Sequence, residues 1–187
     1  MTSRLTLLTG GVRSGKSGRA LALAHERAAN RPVLFVATAQ ALDDEMRGRI
    51  AAHQAERPTA WSTLEEPISL AERLDELLSA GDGPDLVVID CLTLWVSNLL
   101  LALPGNADAE GVIADRTRGL LSVIDAHGAD VQTIIVTNEV GLGVVPSTAL
   151  GRHYRDALGR ANQLVAAAAD EVILLVSGID VRIKPRE

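Results

Sequence analysis

The chain has 187 residues, of which 47% are hydrophobic and 22% charged, a composition typical of a globular protein. The length suits a single domain over residues 1–187, which can bury ~70% of its unfolded surface. The formal net charge of −6 argues against a general basic surface for nucleic acid, although it permits a local basic pocket.

Localisation is indicated by the cysteine content and by the apolar stretches. Cys91 is the single cysteine, so no intramolecular disulfide can form, which favours a reducing compartment. The N-terminus carries no apolar run with a cleavage site, so no secretory signal is evident. The most apolar stretch, residues 92–103, falls short of the ~20 apolar residues that span a bilayer. We expect a cytoplasmic protein with no membrane span, in which this stretch forms a buried helix.

Apolar runs rich in β-branched residues predict strands at residues 5–9, 33–37, 86–90, 133–137 and 171–177. Most of these runs lack polar alternation, as strands covered on both faces of a parallel sheet do. Helical stretches long enough to connect parallel strands occupy residues 16–29, 68–79 and 148–168. Residues 172–176 and 181–183 flank the turn at Ser177 and Gly178, which predicts an antiparallel strand at the sheet edge. The alternation predicts an α/β, doubly wound, mostly parallel sheet with that antiparallel C-terminal edge.

The strongest motif follows the first strand and has the pattern G-x-x-x-x-G-K-[ST]. Its glycines let backbone N–H groups converge on phosphate oxygens, and the start of the next helix adds partial positive charge. Lys16 is expected to reach the β- and γ-phosphates, and Ser17 to ligate Mg²⁺. A chance glycine-rich turn is the alternative, but strand, loop and helix occur in the required order. We therefore expect a RecA-like P-loop fold that binds nucleotide through Gly10, Gly11, Val12, Arg13, Ser14, Gly15, Lys16 and Ser17.

Asp90 ends the apolar run at residues 86–90 and is the candidate to hold Mg²⁺ directly or through water. The alternative is a strand-terminal aspartate that caps the next helix. These features predict nucleotide binding and phosphoryl transfer without choosing a reaction, because P-loops also power motors, pumps and switches. The guanine signal Asn-Lys-x-Asp of GTPase switches is not formed at Asn138, which is followed by Glu139. Both residues end a strand on the ligand side of a doubly wound sheet, where they could orient a substrate hydroxyl.

His53 lies on a helical stripe with Met46 and Ile50, and acidic residues at 43–45 suit the first turn of that helix. Periodicity alone favours a half-buried packing histidine.

Several segments in order resemble one family, the bifunctional adenosylcobinamide kinases / adenosylcobinamide-phosphate guanylyltransferases of cobalamin biosynthesis. The pieces are individually modest, but their order and spacing over essentially the whole chain are specific. They are residues 10–17, 37–39 and 42–46, His53, residues 57–58, Trp61, and residues 136–146, 152–156, 159–160, 162–163, 167–172 and 177–179.

The resemblance implies that His53 attacks the α-phosphate of GTP, which gives a covalent GMP–histidine and releases pyrophosphate. A neutral imidazole is a good nucleophile near pH 7 and a good leaving group from phosphorus. The GMP would then pass to adenosylcobinamide phosphate and give adenosylcobinamide-GDP. Family members often carry two adjacent histidines here, whereas this chain has Ala52 before His53. The nucleophile is therefore unambiguous, while the contribution of the missing neighbour is open.

The resemblance also implies further nucleotide contacts, at Ala37, Thr38, Ala39, Gln54, Ala55, Glu56, Arg57 and Glu65. The Arg57 guanidinium could fork onto phosphate oxygens. Glu65 could accept from guanine N1 and N2, or equally be a solvated carboxylate at a helix start. ATP or GTP as phosphoryl donor, Mg²⁺, adenosylcobinamide and its phosphate as substrates, and a homotrimer are implied as well.

Other ionisable residues carry weaker signals. Arg152, Arg155 and Arg160, with His153, could form a lid or a phosphate-binding surface, or equally a solvated helix face or subunit contact. Two rival functions stay open on the residues alone. One is a plain P-loop small-molecule kinase in which His53 only packs, and the other is a nucleotide-dependent binding module or ATPase.

Overall fold

The computed structural model describes residues 4–41, 44, 47–48, 51, 54, 57–80 and 83–184. Three residues of the predicted site, His53, Ala55 and Glu56, lie outside the described residues.

The described strands form one seven-stranded sheet in the order β3-β2-β4-β5-β1-β6-β7. Strands β1 to β6 pair in parallel, and β7 pairs antiparallel with β6, so the predicted edge strand is confirmed. The bounds are β1 (Leu5–Gly10), β2 (Val33–Ala37), β3 (Ser62–Glu65), β4 (Leu86–Asp90), β5 (Gln132–Val136), β6 (Glu171–Val176) and β7 (Ile179–Lys184).

The described helices cover both faces of the sheet, as the doubly wound prediction required. They are α1 (Lys16–Ala28), α2 (Leu70–Leu78), α3 (Leu92–Leu101), α4 (Ala109–His127) and α5 (Ala149–Ala168). The core between the sheet and α1 is separate from the core shared with the other four helices. Within β4, Leu86 and Val88 face the α1 side, while Val87 and Ile89 face the opposite side. Both sets are buried, which explains the apolar runs without polar alternation.

Two elements differ from the sequence-based expectations. Strand β3 and helix α4 are not among the elements predicted from the sequence. The interpretation of Glu65 as a helix-start carboxylate is wrong, because Glu65 ends β3 and the helix begins at Leu70. Glu66 lies in the turn before the helix, where its Oε1 accepts hydrogen bonds from the backbone N–H groups of Ile68 (2.9 Å) and Ser69 (2.7 Å).

Most of the apolar stretch at residues 92–103 forms the largely buried helix α3, as predicted, and the helix ends at Leu101. Leu92, Trp95 and Val96 of α3 lie in the core, and the Trp95 indole N–H donates to the Ile68 carbonyl at 2.9 Å. No helix among the described residues is both long and apolar enough to cross a membrane.

Candidate functional site

A cavity of about 730 Å³ opens at the carboxyl ends of the central strands. It is lined by Lys16 after β1, Ala37 at the end of β2, Asp90 at the end of β4 and Asn138 after β5. Parallel strands place their carboxyl ends at one edge of the sheet, which is where doubly wound folds bind ligands. The strand order therefore brings together residues that are far apart in the sequence.

The phosphate loop has the backbone that its glycines permit. Gly10 has a φ of 150°, and a Cβ built there would stand 2.4 Å from the carbonyl oxygen of Leu175. Gly15 has a φ of 95° and immediately precedes α1. Neither position accommodates an ordinary side chain without strain. The turn between β6 and β7 is hydrogen-bonded to the phosphate loop, since the Gly178 N–H donates to the Ser14 carbonyl at 2.9 Å.

Lys16 is 7% exposed and lies across the loop that contains it. Its Nζ donates to the carbonyl oxygen of Gly11 at 2.6 Å and to Ser14 Oγ at 3.3 Å. Burial lowers the pKa of the Lys16 ammonium, and attraction to Asp90 opposes that shift. A cation with little water around it interacts strongly with phosphate oxygens.

Asp90 and Ser17 line the same cavity. Asp90 ends β4, and Ser17 lies in the first turn of α1, directly after the phosphate loop that follows β1. Carboxylate and hydroxyl oxygens are ligands that Mg²⁺ prefers, and the ion usually keeps several waters and binds substrate phosphates. No group of three or more His, Cys, Asp or Glu gathers as a metal cage within the described part of the chain. The donors present suit Mg²⁺ bound with a nucleotide.

Thr38 is fully buried, and its hydroxyl joins the ends of two strands. Thr38 Oγ1 donates to the Cys91 carbonyl at 2.7 Å and accepts from the Cys91 N–H at 2.9 Å. The Thr38 carbonyl accepts from Asn98 Nδ2 at 2.8 Å. Its neighbours Ala37 and Ala39 line the cavity, whereas Thr38 fixes the backbone beside Asp90.

A second cavity of about 380 Å³ adjoins the first, because Arg57 and Glu65 line both. The Arg57 guanidinium lies 3.9 Å from the centroid of the Phe35 ring. Burial lowers the pKa of the Arg57 guanidinium. Arg57 Nε makes no hydrogen bond to any residue that the structure describes. Gln54 Nε2 donates to Glu65 Oε1 at 3.0 Å. These side chains form a polar wall next to the phosphate loop.

Most of the predicted residues that are described line one or both cavities. They are Val12, Arg13, Ser14, Gly15, Lys16, Ser17, Ala37, Ala39, Gln54, Arg57, Glu65 and Asp90. Sequence reasoning missed Cys91, Thr93 and Leu94, which also line the larger cavity. Their position directly after a buried parallel strand is the signal that could have found them.

The basic cluster on α5 is engaged in local contacts away from both cavities. Arg152 Nη1 donates to the carbonyl of Ser147 at 2.9 Å, and His153 Nδ1 lies 3.0 Å from Glu110 Oε1. Arg155 pairs with Asp156. These contacts favour the helix-face interpretation over a phosphate lid.

Comparison with solved structures supports the fold. The flagellar accessory protein FlaH from Methanocaldococcus jannaschii matches with a TM-score of 0.57 at 14% identity, covering 98% of this chain and 79% of that chain. A solved ATPase domain matches with a TM-score of 0.59, also at 14% identity, covering 98% and 78%.

Comparison of sequences is more specific. The chain is 45% identical to the bifunctional adenosylcobalamin biosynthesis protein CobU of Salmonella typhimurium, covering 96% of this chain and 99% of the relative. The relative of the same description in Escherichia coli is 43% identical over the same shares. The bifunctional protein CobP of Pseudomonas aeruginosa is 42% identical, covering 95% and 96%.

A family model agrees with these relatives and matches residues 6–183. The chain belongs to the cobinamide kinase / cobinamide phosphate guanyltransferase family.

Proposed function

We propose that the chain catalyses two successive reactions on one corrinoid substrate. It transfers the γ-phosphoryl group of ATP or GTP to the hydroxyl of adenosylcobinamide. It then transfers GMP from GTP, through a GMP–His53 intermediate, to adenosylcobinamide phosphate, and pyrophosphate is released. A single domain carries both reactions. The observation that carries the proposal is the family match over residues 6–183, with Lys16 and Asp90 lining one cavity at the end of the sheet.

In the kinase reaction the chain binds and orients the triphosphate. The loop N–H groups and the buried Lys16 ammonium stabilise charge on the phosphate oxygens. Mg²⁺ held by Ser17 and Asp90 would supply further positive charge to the transferring group. The acceptor oxygen attacks the γ-phosphorus, and the nucleoside diphosphate leaves with the electrons of the broken bond.

In the guanylyl transfer, a neutral imidazole of His53 attacks the α-phosphorus and pyrophosphate leaves. Arg57 and Gln54, which are close to His53 in the sequence, line the cavity beside the phosphate loop. The partly buried Arg57 guanidinium is suited to the phosphate oxygens. The substrate phosphate then attacks the GMP–histidine, and the imidazole leaves.

Intact-protein mass spectrometry after incubation with GTP and Mg²⁺ tests this proposal directly. We expect a GMP-sized, acid-labile adduct on the wild-type protein that is lost in His53→Ala and retained in His25→Ala, which changes a histidine of α1. A wild-type protein that forms no adduct but phosphorylates cobinamide would support the plain kinase instead. Nucleotide turnover that does not need cobinamide and is stimulated by a macromolecule would support the ATPase alternative.

We also propose a cytoplasmic homotrimer, as the family resemblance and the single cysteine suggest. Ile179, Val181 and Ile183 are exposed on the edge strand β7 and provide apolar surface that assembly could cover. Light scattering coupled to size-exclusion chromatography measures the mass of the assembly, and a monomer at all concentrations would contradict this part.

A further inference from the structure

Asn138 occupies the centre of the reaction edge of the sheet. It follows β5, which lies between β4, ending at Asp90, and β1, leading into the phosphate loop. Asn138 lines the same cavity as Lys16 and Asp90. Asn138 therefore follows the strand between the one that ends at the proposed metal ligand Asp90 and the one that leads to Lys16.

Two buried side chains bond the backbone of Asn138, and a third orients them. Its N–H donates to Thr93 Oγ1 at 2.7 Å, and its carbonyl accepts from Asn162 Nδ2 at 3.1 Å. Thr137 Oγ1 donates to Asn162 Oδ1 at 2.7 Å, and lies 3.4 Å from Thr93 Oγ1. Thr93, Thr137 and Asn162 are at most 8% exposed. Residues of α3, of α5 and of the segment after β5 therefore fix one point of the cavity wall.

This network holds the main chain of Asn138 and leaves its side chain available. The Asn138 amide makes no hydrogen bond to any other residue in the described part of the chain. A carboxamide carries one acceptor oxygen and a donor NH₂ side by side. A group of this kind can accept from an attacking hydroxyl and donate to a phosphoryl oxygen at the same time, as the water-orienting glutamine of GTPases must.

We propose that the Asn138 amide bridges the acceptor hydroxyl and the γ-phosphoryl group in the kinase reaction, with Thr93, Thr137 and Asn162 as positioning residues. This inference rests on the kinase activity proposed above. The acceptor oxygen bonds to the γ-phosphorus as the bond from that phosphorus to the β,γ-bridging oxygen breaks. The nucleoside diphosphate takes the electron pair, and the hydroxyl proton passes to an oxygen of the transferred phosphoryl group. Asn138 aligns the two reacting groups and neither gains nor loses a proton.

The test compares the wild type with Asn138→Ala and Asn138→Asp in the kinase assay with cobinamide at saturating nucleotide. We expect kcat to fall on the order of 100-fold in both variants, because one loses the amide and the other replaces the donor with a charge that repels phosphate. In Asn138→Ala, the nucleotide Kd and the rate of guanylylation by GTP should stay at the wild-type level, since guanylylation breaks the bond between the α- and β-phosphates.

The positioning residues are tested by pairs of threonine variants. Thr137→Val removes the hydroxyl that orients Asn162 and should lower kcat roughly tenfold, while Thr137→Ser should restore it. Thr117→Val is the matched control, because Thr117 is equally buried but donates only to Ile113 O within α4, at 2.8 Å. Its kcat should equal that of the wild type.

Two results would overturn the assignment. One is an Asn138→Ala protein that keeps the wild-type kcat, and the other is an equal loss of kinase and guanylylation rates in that variant. A wild-type protein with no kinase activity toward cobinamide would instead contradict the proposed function itself.

Discussion

Thr38 and Cys91 are joined by two hydrogen bonds that use a single hydroxyl group. Thr38 Oγ1 donates to the carbonyl of Cys91 and accepts from its N–H, at 2.7 and 2.9 Å. Because Cys91 follows Asp90, this pair fixes the main chain that carries the proposed metal ligand.

Thr38→Val should destabilise the protein, since the Cys91 N–H loses its Thr38 partner in a buried place and the Cys91 carbonyl keeps only the Trp95 N–H, at 3.2 Å. We expect the free energy of unfolding to fall by about 1–3 kcal/mol, measured by urea denaturation. Thr38→Ser keeps the hydroxyl and should lose less. Equal stability of the Val and Ser variants would show that the pair contributes nothing.

Gly10→Ala should be strongly destabilising, because the added Cβ would meet the Leu175 carbonyl oxygen at 2.4 Å on a backbone with a φ of 150°. We expect a loss of more than ~1 kcal/mol by thermal or urea unfolding. The matched control is Gly119→Ala in α4, where no atom apart from the nearby helix backbone lies within 4 Å of the new Cβ. That variant should gain up to ~1 kcal/mol from helix propensity. Similar stabilities for the two would refute the steric argument.

Lys16→Ala and His53→Ala should separate the two activities. Lys16→Ala should lower the kinase rate on the order of 100-fold or more and weaken nucleotide binding generally. His53→Ala should keep the kinase reaction and lose the GMP adduct. Lys184→Ala is the control, since its Nζ bonds the Ala167 carbonyl at the end of α5, at 3.0 Å. If His53→Ala abolished both reactions equally, His53 would be structural.

Substitution of Glu65 should change nucleotide binding, whereas substitution of its neighbour Glu66 should change stability. Glu65→Ala should weaken GTP binding at least about tenfold, by loss of a charged acceptor for guanine, and leave ATP binding unchanged. Isothermal titration calorimetry with each nucleotide measures this difference. Glu66→Ala should preserve the preference for GTP and cost about 1 kcal/mol of stability, because the N–H groups of residues 68 and 69 lose their hydrogen bonds to its carboxylate. Equal losses for both nucleotides in Glu65→Ala would exclude base recognition.

The Cys91 thiol should resist alkylation. Burial raises its pKa to about 12, and the thiolate is the reactive form, so very little is ionised at pH 8. Mass spectrometry should show no iodoacetamide adduct on the native protein at pH 8 and complete labelling in denaturant. Rapid labelling of the native protein would contradict a raised pKa for the Cys91 thiol.

The sequence determined the phosphate loop, the parallel sheet and the antiparallel edge, because these depend on local patterns. Runs such as residues 86–90 are apolar throughout because both faces of the strand are covered. The loop favours glycine at Gly10 and Gly15, since other residues would be strained at their backbone angles. Lys16 and Asp90 were also recognisable from local patterns. Lys16 belongs to the phosphate-loop motif, and Asp90 ends an apolar strand.

Tertiary structure decided which of these pieces meet. Strand β3 has one partly buried apolar residue, Leu64, so its sequence shows no periodic apolar pattern. The strand forms because its backbone pairs with β2. The bonds of Asn138 to Thr93 and Asn162 join residues 45 and 24 positions apart. Those contacts follow from β5 lying between β4 and β1 and from α5 packing beside them, and the order of strands is set by packing of the whole sheet. Local sequence specifies each strand end, and only the folded sheet places those ends around one cavity.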